Sequence, residues 1–161
     1  MEKINNLLDF LGVSTKEIEK KFGSPTFSHF HPFEDDSFEM PYHYFKEDIQ
    51  DVIYSNIIDL NNLSKSNTIF HISKRTAKVR GITLTLNFAK YPEKPKNLLG
   101  YLGLIDIGKP DENFGDVLNW FNYKGNTVTL MAPSSVNFVG LDIYANNKRN
   151  IFSWFKLLFR S

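Results

Sequence analysis

Histidine and carboxylate side chains are concentrated in the first third of the chain, where together they could bind a metal ion. His29 and His31 are two residues apart, so on a β-strand both imidazoles lie on one face. The acidic run 34–36 and His43 follow closely. Two imidazoles and a carboxylate can bind zinc or a non-haem metal. The same spacing is common by chance in a strand rich in aromatic residues, and we predict no metal and no other cofactor.

The remaining residue types offer little chemistry for covalent catalysis. The chain has no cysteine, which excludes a thiolate nucleophile, a thiolate metal site and a disulfide. Serine and threonine are abundant, but the sequence has no Gly-x-Ser-x-Gly motif, and Gly108-Lys109-Pro110 lacks the glycine spacing of a phosphate-binding loop. The carboxylates of Asp35 and Glu39 are the remaining pair for acid–base catalysis. We predict that the protein is not an enzyme and has no small-molecule substrate.

The charged residues are strongly segregated along the chain, although the net charge is only +1. Residues 1–60 contain 12 acidic and 5 basic side chains, whereas residues 61–161 contain 6 and 14. The basic side chains are densest in residues 65–96. Such segregation can steer a partner of either sign. Alternatively, adjacent strands carry the two runs, which then neutralise each other across a sheet.

Aromatic side chains are interspersed with the acidic run, and this combination is typical of tight inhibitor interfaces. We predict that this acidic and aromatic face binds a basic protein surface. If the partner is a toxin domain such as a nuclease, the carboxylates take the place of its substrate phosphates. The predicted partner-binding residues are Phe33, Glu34, Asp35, Asp36, Phe38, Glu39, Tyr42, Tyr44, Glu47, Asp48 and Asp51. The favoured function is that of an immunity or inhibitor protein that neutralises a bacterial toxin in the cytoplasm.

Other functions remain open from the sequence. An assembly or scaffold module would bind its partner by adding a strand to a sheet edge. A nucleic-acid-binding module would combine the basic run with Phe70, Phe88 and Tyr91 as stacking surfaces. The apolar residues 151–159, which have basic flanks, could lie on an anionic membrane, although a packed terminal element is favoured. We expect neither a membrane span nor a signal peptide.

Two short helices are predicted at the start of the chain. Residues 4–11 have apolar side chains at helical spacing, and Gly12 is a suitable stop. Ser14 and Glu17 have the spacing of a capping box, which predicts a second helix that ends near Phe22.

The rest of the chain has mainly strand patterns. Residues 40–45 and 49–54 are predicted to form a hairpin, and residues 61–67 a polar loop. Gly81 would be a bulge or bend within its strand. The predicted strands cover residues 26–33, 40–45, 49–54, 68–73, 79–88, 118–123, 127–131 and 136–144.

A sequence repeat divides the chain. NLLDFLGVS at residues 6–14 returns as NLLGYLGLI at residues 97–105, and a Phe-Gly pair follows each copy. We therefore predict an α+β fold of two related halves, each a short helix pair packed on an antiparallel β-sheet. The predicted parts are residues 1–90, a hinge at 91–96, and residues 97–161 with a C-terminal apolar segment. Alignment of the halves leaves residues 26–41 without a counterpart, and the predicted site is centred there.

These motifs resemble those of known small bacterial proteins. A helix pair with a capped Ser-Thr-x-Glu, a Phe-Gly-x-Pro exit and an aromatic antiparallel sheet resembles the half-repeat of the β-lactamase-inhibitor-protein fold, which small outer-membrane assembly lipoproteins share. The overall layout is also similar to that of small immunity proteins that neutralise a cognate toxin. The resemblance implies a tandem helix–helix–sheet fold and an inhibitory function, but no individual binding residue. It rests on Leu11-Gly12, Ser14, Phe22-Gly23 and Pro25, with a weaker echo at Leu102-Gly103 and Phe114-Gly115.

Overall fold

A single antiparallel sheet of eight strands dominates the structure, a computed structural model that describes residues 3–33, 45–133 and 135–146. Two short α-helices, α1 (Thr15–Phe22) and α2 (Asn97–Tyr101), accompany it in the described residues, together with one 3-10 helix (Leu7–Phe10). The strands are β1 (Phe27–His31), β2 (Ile49–Ser55), β3 (Leu63–Ser73), β4 (Val79–Phe88), β5 (Glu112–Asn113), β6 (Val117–Tyr123), β7 (Asn126–Met131) and β8 (Phe138–Ala145). The predicted α+β class is confirmed.

The order of the strands divides the sheet at its centre. Strands β1 to β4 lie side by side in chain order, and β8 to β5 follow in reverse order. The last strand of each set therefore pairs at the centre, where Leu84 of β4 lies opposite Leu141 of β8. Among the described strands, β1 and β5 form the two outer edges. Residues 26–41 have no counterpart in the aligned sequence, and they include the edge strand β1. The strand at the opposite edge is β5, which is shorter than β1.

The hydrophobic core lies between the helices and one face of the sheet. Alternate residues of the central strands point into it, among them Ile82 and Leu84, which are fully buried. Ile18 of α1 and Leu99 of α2 are buried in the same core. Because all of these side chains belong to one cluster, the residues before and after the predicted hinge share a single core.

The predicted capping box at the start of α1 is confirmed. The Ser14 side chain accepts a hydrogen bond from the Glu17 backbone N–H, and the Glu17 carboxylate accepts one from the Ser14 backbone N–H at 2.9 Å. The first predicted helix is much shorter than residues 4–11, because Ile4 pairs as an isolated bridge with Ile58 instead. Only Leu7–Phe10 is helical, in a 3-10 conformation.

The two copies of the repeated motif contact each other directly. The Leu7 N–H donates to the Leu102 carbonyl at 2.9 Å. Gly12 and Gly103, at corresponding positions of the two copies, have positive φ values of 80° and 88°. No second helix follows the second copy within residues 106–116, so the helix pair that was predicted there for the second half is not formed. Gly108 has a positive φ of 76° and Pro110 follows it, a combination that does not continue a helix.

Two predictions about strand pairing are also wrong. Residues 49–54 cannot form a hairpin with residues 40–45, because β1 and β3 occupy the two sides of β2. Residues 61–67 are not a polar loop, because β3 already begins at Leu63 and pairs with the end of β4. The predicted bulge at Gly81 is confirmed by a register shift between His71 and Ile72, opposite this glycine.

Two further segments lie outside the described residues: most of 40–45 and the terminal segment 151–159. Among the helices that the structure describes, none is both long enough and apolar enough to cross a membrane.

Candidate functional site

The face of the sheet opposite the helices is the candidate functional surface, and we call it the open face. Side chains point to it alternately with the core residues, so neighbouring strands line up their polar residues in rows across it. Among the described residues, the two central rows contain no lysine and no arginine. One of these rows includes His29, Asp51 and His71. The other row includes Phe27, Thr83, Asp142, Thr129, Asn119 and Glu112.

A buried carboxylate and a buried imidazole form the centre of this arrangement. Asp51 of β2 and His71 of β3 lie directly opposite each other, and Asp51 Oδ1 is 2.7 Å from His71 Nδ1. Both residues are almost completely buried. An ionised carboxylate can only accept hydrogen bonds, so His71 Nδ1 carries a proton. The pair connects the two strands through a charge-assisted hydrogen bond.

The other nitrogen of His71 continues the network to the centre of the sheet. His71 Nε2 lies 2.8 Å from Thr83 Oγ1, and the Thr83 hydroxyl donates to Asp142 Oδ1 at 2.7 Å. A hydroxyl has one hydrogen, so a Thr83 that donates to Asp142 must accept from Nε2–H. The contacts therefore form a continuous chain from Asp51 through His71 and Thr83 to Asp142, with one carboxylate at each end of the network.

Hydrogen bonds also connect the polar row on the far side of the sheet. Thr129 Oγ1 donates to Asn119 Oδ1 at 2.8 Å, and Asn119 Nδ2 donates to Glu112 Oε2 at 3.1 Å. Thr129 lies opposite Asp142 in the pairing of β7 with β8. Side-chain hydrogen bonds or direct cross-strand neighbours thus connect all of the strands from β2 to β5.

The sequence of acid, imidazole and hydroxyl in Asp51, His71 and Thr83 has the connectivity of a nucleophilic triad, but its geometry does not favour catalysis. A general base must accept the hydroxyl proton, whereas here the hydroxyl proton is directed at Asp142. His71 is also buried, with the rings of Phe45 and Tyr144 centred 5.8 and 6.0 Å away. The network is built to hold strands together.

A small apolar cluster covers one end of the open face. Phe45, Ile49 and Tyr144 are buried together there, and the rings of Phe45 and Tyr144 meet edge to face with centroids 5.4 Å apart. Gly81 makes this packing possible, because a Cβ at this position would lie 2.6 Å from the Tyr144 ring and 2.7 Å from the Phe45 ring. This cluster separates His71 from solvent.

The histidines of β1 lie at the border of the network. His31 Nε2 is 3.2 Å from Asp51 Oδ2, and the ring of His29 lies 4.4 Å from that of His31. Burial lowers the pKa of His31 below its ordinary value of 6.5, and the neighbouring Asp51 carboxylate opposes this shift. Within the described ranges no group of three His, Asp or Glu side chains is arranged to bind a metal ion. His43 and the acidic run 34–36 lie outside those ranges.

The structure places the predicted partner-binding residues in different environments. Phe33 and Asp48 are exposed and adjacent, since the Phe33 N–H donates to Asp48 Oδ1 at 2.7 Å. Glu47 is partly buried, and its carboxylate lies 3.2 Å from Arg80 Nε. Asp51 is buried in the network and is not part of an exposed surface. The remaining predicted residues lie outside the described part of the chain: Glu34, Asp35, Asp36, Phe38, Glu39, Tyr42 and Tyr44.

At Glu47, the acidic run of the first third of the chain is neutralised by the basic run of residues 65–96. Glu47 Oε2 is also 3.8 Å from Arg75 Nε, so one acidic side chain faces two arginines of the basic run. The aromatic residues of that run are not free to stack on bases. Phe70 and Phe88 are buried in the core, and the Tyr91 hydroxyl donates to the Ala132 carbonyl at 2.7 Å.

The open-face residues of the second half of the chain are not among the site residues predicted from the sequence. Phe121 and Met131 are exposed and directly follow the core residues Trp120 and Leu130, so we infer that they point to this face. Asp142 is the central carboxylate of the face. The strands that contain these residues were correctly predicted. Alternate positions of a half-buried strand face away from the core, so the alternation within these strands could have identified the residues.

Neither a protein-family model, nor a curated protein, nor a solved structure matches this chain. The chemistry and exposure of the open face are therefore the basis for the functional proposal.

Proposed function

We propose that the protein is a non-enzymatic inhibitor, an immunity protein that neutralises a basic bacterial toxin domain by binding it on the open face. The observation that carries this proposal is a sheet face that exposes several apolar side chains next to carboxylates. Phe27, Phe121 and Met131 are 56%, 47% and 42% exposed. Asp142 and Glu112 contribute the carboxylates, and the central rows of the described strands contribute no lysine or arginine.

Apolar anchors and carboxylates have separate roles in such an interface. Exposed aromatic side chains supply most of the affinity, because their burial removes a large apolar area from water. Carboxylates steer a basic partner and increase the rate of association. A nuclease domain is a suitable partner, because its substrate-binding surface must be basic.

The hydrogen-bonded network makes the open face rigid before the partner binds. Asp51, His71 and Thr83 connect three adjacent strands, so the exposed side chains above them lie on a fixed backbone. A preorganised surface loses less conformational entropy on binding. The buried network thus supports the interface without contacting the partner.

Phe33 and Asp48, the exposed residues of the predicted site that the structure describes, remain part of the proposal. Phe33 and Asp48 are exposed where β1 ends and β2 begins, and residues 34–36 follow Phe33 in the chain. Asp51 and Glu47 are excluded from the surface that we propose, because the network and two arginines engage their carboxylates.

We also propose that the two halves of the chain derive from one duplicated unit. The mirrored strand order, with β4 and β8 paired at the centre, supports this origin. A second parallel is that the final tyrosine of β6 and a tyrosine near the end of β2 both bond to a loop carbonyl. Tyr54 donates to Gly23 at 2.8 Å and Tyr123 donates to Ile105 at 2.7 Å. The cysteine-free composition favours function in the reducing cytoplasm.

An assembly module that adds a strand to its sheet is the second candidate function. The specific observation in its favour is β1, an edge strand whose residues are nearly all exposed. In this case substitutions in β1 would abolish binding of the partner, whereas substitutions at Phe121 would leave binding unchanged.

Affinity capture with matched baits tests the proposal. We expect the wild-type chain to capture a basic protein from lysate of its source cells, and Phe121→Asp to lose it. Tyr101→Asp is the matched control, because Tyr101 is 69% exposed on α2, at the helix side of the sheet. Co-expression of the captured protein should arrest growth unless the wild-type chain is present. Growth arrest that the Phe121→Asp chain relieves as well as the wild type does would refute the assignment of the open face.

A further inference from the structure

The edge strand β1 has the properties of a self-pairing surface. An edge strand directs alternate backbone N–H and C=O groups away from its sheet, where another strand can bind them. Folded proteins commonly prevent this pairing with charged residues, proline or a bulge in the edge strand. Within Phe27–His31 there is no acidic residue, lysine, arginine or proline, and β1 pairs with β2 without a register shift.

The other edge of the sheet is protected. β5 has only two residues, Glu112–Asn113, and its first residue is charged. Asp111 precedes it directly, so a second copy of β5 would bring like charges together. Pairing of β1 in one copy with β5 in another would also be short, because β5 has only two residues. This asymmetry favours pairing of β1 with β1, which closes a dimer instead of propagating a filament.

We propose that two copies of this chain pair antiparallel through β1 about a twofold axis at His29. In this register Phe27 lies opposite the partner copy's His31 position, and Ser28 lies opposite its Phe30 position. The pairs combine aromatic with aromatic or aromatic with small polar side chains, and none of them contains a carboxylate, a lysine or an arginine. The strand is thus complementary to itself.

The exposed rings next to the edge add apolar area to the dimer. Phe27 is 56% exposed on the open face, and Phe30 is 45% exposed on the opposite face, where Lys74 Nζ lies 5.7 Å from its ring centre. Pro25 and Pro32 bracket the strand and limit the pairing to its length. A twofold axis perpendicular to the sheet would place the two open faces on the same side of a continuous sheet. Each dimer would then present two copies of the open face.

Opposite charges at the twofold axis provide the test, with molar mass from light scattering as the measurement. The wild-type chain should elute with the mass of two 18.7 kDa chains. Because His29 faces its own copy, His29→Asp and His29→Lys should each raise the dimer dissociation constant about fivefold or more. An equal mixture of the two variants should restore a dimer, since each pair at the axis then has opposite charges.

Phe121→Asp is the control, because Phe121 is exposed far from β1 and serves the proposed partner surface. It should leave the dimer intact, so the dimer and the partner surface can fail independently. Circular dichroism verifies that each variant is folded. A wild-type chain that stays monomeric as its concentration is raised would overturn the proposal. Folded single variants that dimerise as tightly as the wild type, or a mixture that fails to restore pairing, would do so as well.

Discussion

Asp51 and His71 form a directly opposed cross-strand pair, with 2.7 Å between Asp51 Oδ1 and His71 Nδ1, beneath the open face of the sheet. The second oxygen of Asp51 lies 3.2 Å from His31 Nε2. One carboxylate therefore holds side chains from the two strands that flank β2. Because a buried charge is costly unless it is paired and hydrogen-bonded, this arrangement makes Asp51 a structural residue.

Asp51→Asn should destabilise the fold. The amide has nearly the shape of the carboxylate but no charge, so the charge-assisted hydrogen bonds to His71 and His31 become weaker. We expect the free energy of unfolding to fall by about 2 kcal/mol. Urea denaturation of both proteins measures this difference. Asp48→Asn is the control, since Asp48 is exposed and its substitution should change stability by less than about 0.5 kcal/mol. Equal stabilities of Asp51→Asn and the wild type would contradict the structural role of the pair.

The stability of the protein should decrease as the pH falls below the ordinary pKa of histidine. Burial lowers the pKa of His31 below its ordinary value of 6.5, so the unfolded chain binds this proton first. Stability therefore rises with pH across the interval between the folded pKa and 6.5, and is lost as the pH falls through it. His31→Gln should show a smaller decrease over this interval in urea midpoints measured at a series of pH values. An unchanged pH dependence in the variant would show that His31 is not the responsible group.

The repeated glycines of the two motif copies should differ in their tolerance of alanine. Gly12 and Gly103 both have positive φ, which costs an alanine about 1–2 kcal/mol. A Cβ on Gly12 would meet no atom within 4 Å, whereas a Cβ on Gly103 would collide with the side chain and the Cα of Asn6. We therefore expect Gly103→Ala to lower the free energy of unfolding by about 1–3 kcal/mol more than Gly12→Ala does.

Thermal and urea unfolding of the two alanine variants measure this difference, and Gly12→Ala serves as the control for backbone strain. Equal losses in the two variants would mean that the contact between the motif copies contributes no steric constraint at Asn6.

Local patterns in the sequence predicted the elements whose own residues determine them. Residues 79–88 alternate apolar and polar side chains, and β4 has these bounds. Ser14 and Glu17 form their capping box within a single turn, so the sequence contains both partners. Leu63–Asn67 was mistaken for a loop because its polar side chains do not alternate clearly. Its strand conformation follows from pairing with the end of β4, which is distant in the chain.

The candidate site depended on contacts that no local pattern contains. Asp51 and His71 are 20 residues apart, and Thr83 and Asp142 are 59 residues apart. Both contacts require the register of the sheet, and a shift by one residue would direct each side chain to the other face. For this reason Asp51 counted as one more exposed acid in the sequence, whereas the fold buries it between two histidines.

The most direct test of the open face is the affinity of the captured basic partner for three purified chains, measured by surface plasmon resonance at low and high salt. We expect Phe121→Asp to weaken binding by about 30-fold or more, as is typical of the loss of an aromatic anchor. Tyr101→Asp should bind like the wild type, and high salt should slow association with the wild type. Equal affinities of the wild type and Phe121→Asp, or a loss of binding confined to Tyr101→Asp, would contradict the open face as the inhibitory surface.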